Sequence, residues 1–184
     1  MKSSIRSVYL LFACALAGFS STKSQAQTDL HPLEVVDYVD LERYLGKWYE
    51  VASIPQSFQE GCVNSSAEYS KMRRNRIRVI NTCEVDGRTK RARGKAWVVD
   101  NETNAKLKVQ FFWPFKGDYW IIELDEDYQY AVVGDPNRNS LWILSRTPRI
   151  SDDLFDDLLN RIEFTHLYDP SEIVRASESL KIVN

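Results

Sequence analysis

The sequence is poor in the side chains that build metal centres and nucleophilic active sites. Its 184 residues include two histidines, His31 and His166, and three cysteines. A metal site needs more ligands than these residues offer. Catalysis needs an activated nucleophile or a poised acid–base pair, and the two histidines are poorly placed for either role. We therefore predict no metal site, no cofactor and no enzymatic activity.

Long apolar runs and compositional breaks are also missing. The apolar run Val8–Phe19 is shorter than the roughly 20 residues that a membrane-spanning helix needs. No internal repeat, low-complexity tract or Pro- and Gly-rich linker divides the chain, which predicts one domain with an N-terminal addition. Hydrophobic residues make up 43% and charged residues 27% of the chain. These values are typical of a globular protein and exclude disorder.

The N-terminal residues have the pattern of an export signal. Lys2 and Arg6 precede the apolar run, and Ser24-Gln25-Ala26 is a small-residue cleavage site. We predict a signal peptide over residues 1–26, an N-terminal extension over 27–37 and the folded domain over 38–184, in the periplasm or secreted. The alternative is an outer-membrane lipoprotein anchored through Cys14, because Leu11-Phe12-Ala13-Cys14 partly resembles a lipidation box.

The chain also lacks an excess of positive charge. Its 24 Lys and Arg against 26 Asp and Glu give a net charge of −2, and removing residues 1–26 takes away three basic residues and no acids. The resulting net charge of −5 does not favour nucleic-acid binding. Basic residues cluster at 73–78 and 88–93, which we interpret as solvated hairpin ends. The alternative is contact with anionic lipid head groups on a membrane surface.

Short alternating segments dominate the rest of the chain. A capped turn, Leu41–Leu45, precedes strands separated by turn residues every 8–12 positions, the pattern of a sandwich or barrel. In the fifth strand, apolar and polar residues alternate from Lys106 to Trp113. The sixth strand is apolar on both faces, so that one face, with Trp120 and Ile122, packs under a helix or supports a dimer.

The helix is predicted to begin after Ser151, with Asp152 and Asp153 in its first turn. Its apolar stripe needs a partner, which the outside of a barrel supplies. A final strand is predicted over residues 172–179. A tight turn at Glu126-Asp127 is predicted to pair Ile121 with Val132 and Glu123 with Tyr130.

Cys62 and Cys83 are predicted to form a disulfide, because they lie in adjacent strands of an exported chain. A regular ladder that pairs Lys71 with Ile77 would place the two sulfurs on opposite faces. The bridge therefore requires a β-bulge or an irregular start to the second strand.

Several motifs in order resemble the lipocalin family. They are Gly46-Lys47-Trp48-Tyr49-Glu50-Val51-Ala52, Ala67-Glu68-Tyr69-Ser70, Gly94-Lys95-Ala96, Ala105-Lys106-Leu107-Lys108-Val109, Gly117-Asp118-Tyr119-Trp120, Tyr128-Gln129-Tyr130-Ala131 and the run Leu141–Pro148. Within that family, the chain looks most like the branch that contains the bacterial outer-membrane lipocalins, the plant temperature-induced lipocalins and apolipoprotein D. The resemblance implies an all-β fold: an eight-stranded antiparallel up-and-down barrel, one C-terminal helix packed outside it and a final short strand.

The resemblance also implies roles for individual residues. Gly46, Trp48 and Arg146 would close one end of the barrel, the arginine stacking on the indole. A small hydrophobic ligand, a fatty acid or lysophospholipid, would occupy the open cup for transport or storage. The expected ligand-binding residues are Tyr69, Val79, Leu107, Val109, Phe111, Trp113, Tyr119, Ile121 and Trp142.

Two other functional classes remain as alternatives. One is a lipocalin-like enzyme acting on a lipid, and the other is a partner-binding protein that uses the outer barrel surface. The protein is expected to be a monomer or a weak homodimer. Glu50 is a candidate buried and paired acid on the first strand, but the sequence does not identify its partner.

Overall fold

The computed structural model describes residues 31–176, in which most elements are antiparallel strands. The elements are α1 (Leu41–Tyr44), β1 (Gly46–Ser53), a 3-10 turn (Ser57–Gln59), β2 (Val63–Met72), β3 (Arg76–Val85), β4 (Arg88–Val98), β5 (Lys106–Gln110), β6 (Gly117–Leu124), β7 (Tyr130–Gly134), β8 (Leu141–Ser145), α2 (Asp152–Phe164), a second 3-10 turn (Pro170–Glu172) and β9 (Val174–Arg175). The signal peptide and residues 27–30 lie outside the described residues, as does the end of the predicted final strand beyond residue 176.

The strands close into the predicted eight-stranded barrel. Each of β2 to β7 pairs with the next strand in sequence, and β1 pairs with both β2 and β8. The short β9 adds to β1 outside the barrel. Within the described residues, the predicted final strand begins at Val174 and not at residue 172, because Pro170–Glu172 forms a 3-10 turn.

Side-chain alternation gives the barrel two apolar cores. The inner core contains Trp48, Ala67, Val79, Leu107 and Ile121. The outer core lies between the barrel wall and α2, and it joins Ile122, Val132 and Ile143 to Phe155, Leu158 and Ile162. Ser151 caps α2 through Oγ, which accepts a hydrogen bond from the Leu154 N–H. Both the cap and the buried stripe of the predicted helix are confirmed.

A bulge near the start of β2 makes the disulfide possible. The register changes from Val63 opposite Glu84 to Ser66 opposite Thr82, which inserts one extra residue into β2. Asn64 adopts a positive φ of 53° in this segment. Cys62 and Cys83 are joined by a disulfide with their Cα atoms 5.4 Å apart. The predicted bridge and the irregularity it requires are both confirmed.

The predicted register of the β6–β7 hairpin is wrong. Ile121 faces Val133 and Glu123 faces Val132, so their partners lie one and two positions beyond the predicted ones. The offset of two at Glu123 comes from the length of the connection, and a bulge at Ile122 reduces it to one at Ile121. The connection is also longer than a tight turn at residues 126–127. It runs through Asp125, whose carboxylate accepts hydrogen bonds from the N–H groups of Asp127 and Gln129.

Up-and-down connectivity separates the loops into two ends. The β2–β3, β4–β5 and β6–β7 connections share one end with α1 and the start of β1, which we call the closed end. The β1–β2, β3–β4, β5–β6 and β7–β8 connections lie at the opposite, open end. The basic residues at 73–76 therefore belong to the closed end, and the exposed ones at 88–93 surround the hairpin of the open end.

Candidate functional site

The closed end is sealed by the predicted contact between Trp48 and Arg146. The indole is fully buried, and the guanidinium carbon lies 3.8 Å from the ring centroid. The guanidinium also donates to three backbone carbonyls, those of Arg43 at 2.7 Å, Lys47 at 3.0 Å and Tyr128 at 3.2 Å. Arg146 thus joins α1, β1 and the β6–β7 connection, which makes it a clamp on the fold.

Glycine at position 46 is required by this clamp. Its φ is +96°, a conformation that residues with a side chain rarely adopt. A Cβ there would also lie 3.4 Å from Nη1 of Arg146. The predicted structural triad of Gly46, Trp48 and Arg146 is therefore assembled at one place in the fold.

Three tyrosines form a layer in the barrel interior next to Trp48, which we call the tyrosine floor. The Tyr119 hydroxyl shares hydrogen bonds with those of Tyr44 at 2.8 Å and Tyr69 at 2.9 Å. Burial raises the pKa of Tyr69 to about 12 and that of Tyr44 well above its ordinary value. The three phenols therefore stay neutral, and the two hydrogen bonds among them give each hydroxyl a partner inside the apolar core.

One wall of the interior is apolar. Val79, Leu107 and Ile121 are buried there, and Val109 and Phe111 are partly buried against them. The Phe111 ring lies against the backbone of β4, where a Cβ on Gly94 would come within 2.8 Å of it. These predicted ligand-binding residues share one continuous surface over β3, β5 and β6.

Trp113 does not continue that wall. β5 ends at Gln110, and the Trp113 side chain is 86% exposed on the β5–β6 connection. The expectation that strand alternation carries Trp113 into the interior is wrong, because the alternation in the sequence extends three residues beyond the last paired residue.

The opposite wall, formed by β1 and β8, carries a polar cluster that we call the Glu50 cluster: Glu50, Ser53, Gln59 and Trp142. Glu50 lies opposite Leu144, and Ser53 lies opposite Trp142. The Glu50 carboxylate accepts from the Ser53 hydroxyl at 2.7 Å and from the Gln59 amide at 2.8 Å. The Gln59 carbonyl oxygen in turn accepts from the Trp142 indole N–H at 3.1 Å.

Burial raises the pKa of the Glu50 carboxyl, and the hydrogen bonds from Ser53 and Gln59 partly offset that rise. The sequence does not identify the partners of Glu50, and the pairing of β1 gives the reason. A register shift between Glu50 and Ala52 brings Glu50 and Ser53, three residues apart, onto the same inward face. Regular alternation would place them on opposite faces.

Exposed aromatic side chains surround the open end. Phe112, Trp113 and Phe115 lie on the β5–β6 connection, and Phe58 lies on the β1–β2 connection, each more than 70% exposed. Exposed basic side chains, including Arg88, Lys90 and Arg91, stand on the neighbouring β3–β4 hairpin. The sequence carries no separate signal for this rim, since the alternation of β5 extends into its β5–β6 aromatics.

Two shallow grooves lie on the outer face of the barrel. One is lined by Lys47, Glu68, Arg91 and Arg93 among others, and the second includes Lys95, Trp97 and Trp113. Both are open to solvent and lined mainly by polar groups. The inward apolar wall is therefore the better site for a hydrophobic molecule.

Comparison with known proteins agrees with this architecture. A family model described as a lipocalin-like domain matches residues 39–178. The outer membrane lipoprotein Blc of Escherichia coli K12 is 40% identical over 151 residues, covering 81% of this chain and 85% of that protein. Temperature-induced lipocalin-1 of Arabidopsis thaliana is 35% identical over 161 residues, covering 83% and 86%.

A solved structure supports the fold alone. Insecticyanin of the tobacco hornworm, Manduca sexta, superposes with a TM-score of 0.63 at 20% identity, covering 78% of this chain and 82% of that one. Within residues 31–176, no helix is long and apolar enough to span a bilayer.

Proposed function

Because the chain belongs to the lipocalin family, whose members bind small hydrophobic ligands, we propose that it binds a single-chain lipid, a fatty acid or lysophospholipid, for transport or storage. The observation that carries this proposal is the apolar wall of Val79, Leu107, Val109, Phe111 and Ile121 inside the barrel. Burying apolar surface contributes about 25 cal/mol per Å², so an enclosed acyl chain gains several kcal/mol before ordering costs.

We propose binding without catalysis. Cys62 and Cys83 are joined in a disulfide, so neither is a free thiol. His166 is buried, and its Nε2 lies 2.8 Å from the Glu123 carboxylate. Glu123 also approaches Arg161 of α2, which places this pair on the outer side of the wall, away from the proposed lipid.

The cell envelope is the proposed location. The Escherichia coli relative is named an outer membrane lipoprotein, and residues 1–26 have the pattern of an export signal. Anchoring through Cys14 is the alternative to a soluble periplasmic or secreted protein. We propose a monomer in solution, since α2 covers the apolar face around Trp120 and Ile122. Light scattering that shows a dimer would contradict the monomer.

Titration of the delipidated protein with lipid tests the proposed function. We expect saturable quenching of tryptophan fluorescence at micromolar lysophospholipid or fatty acid. Trp142→Phe should remove most of the change, because Trp142 is the inward tryptophan nearest the open end. Trp97→Phe is the matched control, since that indole faces the outer groove, and it should respond like the wild type. Absence of saturable binding in all three proteins would refute the proposal.

We also propose that the open end contacts an anionic bilayer surface. Its exposed aromatic side chains suit the membrane interface, and the adjacent Arg88, Lys90 and Arg91 complement anionic head groups. Among the described residues, these three basic side chains form no ion pair. Lipid could then pass between the bilayer and the cup.

Vesicle sedimentation tests this contact. Trp113→Ser should weaken binding to phosphatidylglycerol vesicles about tenfold, since roughly 1.4 kcal/mol of interfacial burial is lost. Binding should also fall as salt rises. Tyr38→Ser removes an aromatic side chain that is 60% exposed just before α1, at the closed end, and should have no effect. Equal losses in both variants, or equal binding to phosphatidylcholine vesicles, would argue against a specific membrane-facing end.

A further inference from the structure

We propose that Glu50 selects the polar end of the ligand: the cup accepts a single-chain lipid whose inner polar group donates hydrogen bonds, a hydroxyl or ammonium, and disfavours a carboxylate. This inference rests on the proposed lipid binding and deepens it. It concerns the wall formed by β1 and β8, opposite the apolar wall.

Glu50 is a partly buried acceptor with unused capacity. A carboxylate has about four acceptor positions, and Glu50 receives one hydrogen bond at each oxygen, from Ser53 and Gln59. Both donors are neutral. Within residues 31–176, no lysine, arginine or histidine forms an ion pair with Glu50. Since removing a charge from water without a counter-charge is costly, a donor supplied by the ligand that covers Glu50 is favoured.

A second acceptor in the interior also lacks a donor. Asn81 lies two residues after Val79 on β3 and opposite Ala67, both of which belong to the inner core. Its Oδ1 atom is buried and has no hydrogen-bond partner among the described residues. Buried amide oxygens are normally satisfied. The interior therefore has acceptors with unused capacity on two different strands, β1 and β3.

The two walls are proposed to bind different parts of the ligand. The apolar wall on β3, β5 and β6 suits an acyl chain, and the Glu50 cluster suits the polar group attached to it. An ionised fatty acid brings a second carboxylate and no donor, so its charge is repelled by Glu50. A neutral lipid with glycerol hydroxyls brings donors and no negative charge. The charged hydrogen bond to Glu50 then strengthens its binding.

The experiment compares the affinities of ligands that have the same twelve-carbon chain and different polar groups. Each ligand displaces the fluorescent probe N-phenyl-1-naphthylamine from the protein. The measurements are made at pH 8.5 and below the micelle concentration of each ligand. Monododecanoylglycerol should bind the wild-type protein at least about tenfold more tightly than dodecanoate, the ratio that one pKa unit of charge interaction represents. Dodecylammonium should bind at least as tightly as monododecanoylglycerol.

Two variants locate the effect. Glu50→Gln keeps the size of the side chain and removes its charge, so the affinity ratio should collapse to within about threefold. Glu68→Gln makes the same charge change on an exposed side chain of β2 and should keep the wild-type ratio. Thermal unfolding establishes that each variant is folded.

The outcomes separate the two proposals. Wild-type protein that binds dodecanoate as well as or better than monododecanoylglycerol overturns the selection by Glu50, whether or not the variants fold. An unchanged ratio in folded Glu50→Gln, or a collapse in Glu68→Gln, also overturns it while leaving lipid binding intact. If no ligand displaces the probe, lipid binding itself fails.

Discussion

Arg146→Ala should lower the free energy of unfolding by about 3 kcal/mol, a sum of about 1 kcal/mol for each lost hydrogen bond and about 1 kcal/mol for the lost indole contact, discounted for partial exposure. Three backbone carbonyls lose their donor, and the Trp48 ring loses its cover at the closed end. Equilibrium denaturation in urea measures the change.

The controls separate position from charge. Arg149→Ala removes an exposed arginine three residues away that forms no ion pair among the described residues, and it should change stability by less than about 0.5 kcal/mol. Arg146→Lys should recover only part of the loss, because an ammonium cannot stack flat and reach three carbonyls together. Ligand preference should stay unchanged, since the clamp lies below the tyrosine floor. Wild-type stability in Arg146→Ala would contradict the structural role.

Removing the disulfide should have a similar effect. Cys62 and Cys83 are 21 residues apart, and closing a loop of this length stabilises by about 3 kcal/mol on the chain-entropy estimate. The double variant Cys62→Ser/Cys83→Ser should therefore unfold at a clearly lower urea concentration than the oxidised protein. Wild-type protein under reducing conditions should match the variant. A midpoint that is the same with and without the bridge would show that the closed loop adds no stability.

The disulfide also matters for the cup. Cys62 is the last residue of the β1–β2 connection. The same connection places Gln59 between Glu50 and Trp142. Loss of the bridge frees the start of β2 and, with it, the end of this connection. We therefore expect the double variant to bind lipid more weakly at temperatures where it is still folded.

Sequence patterns predicted the parts of this protein that depend on local alternation and on family motifs. The apolar residues of β5 and β6, the cap and stripe of α2, and the Trp48–Arg146 contact are in their expected places. The predicted barrel and the predicted family membership are also confirmed. Period-two hydrophobicity is a property of the single strand and is visible without a partner.

The errors occur where pairing between strands decides the face of a residue. The sequence does not show how far β5 stays paired, so alternation predicts Trp113 inside the barrel, whereas its side chain is exposed. Bulges on β1 and β6 each shift the alternation by one residue. After a bulge the inward and outward sets exchange, and the position of a bulge is set by the neighbouring strand as well as by the bulged one.

The sequence by itself therefore determined the fold, the family and the closed end. Tertiary structure alone decided the chemistry of the cup: the side chains of Glu50 and Ser53 meet because of a bulge, and Gln59 reaches them from a loop. The physical reason is that each of these contacts joins residues whose faces are fixed only after the strands have paired and the barrel has closed.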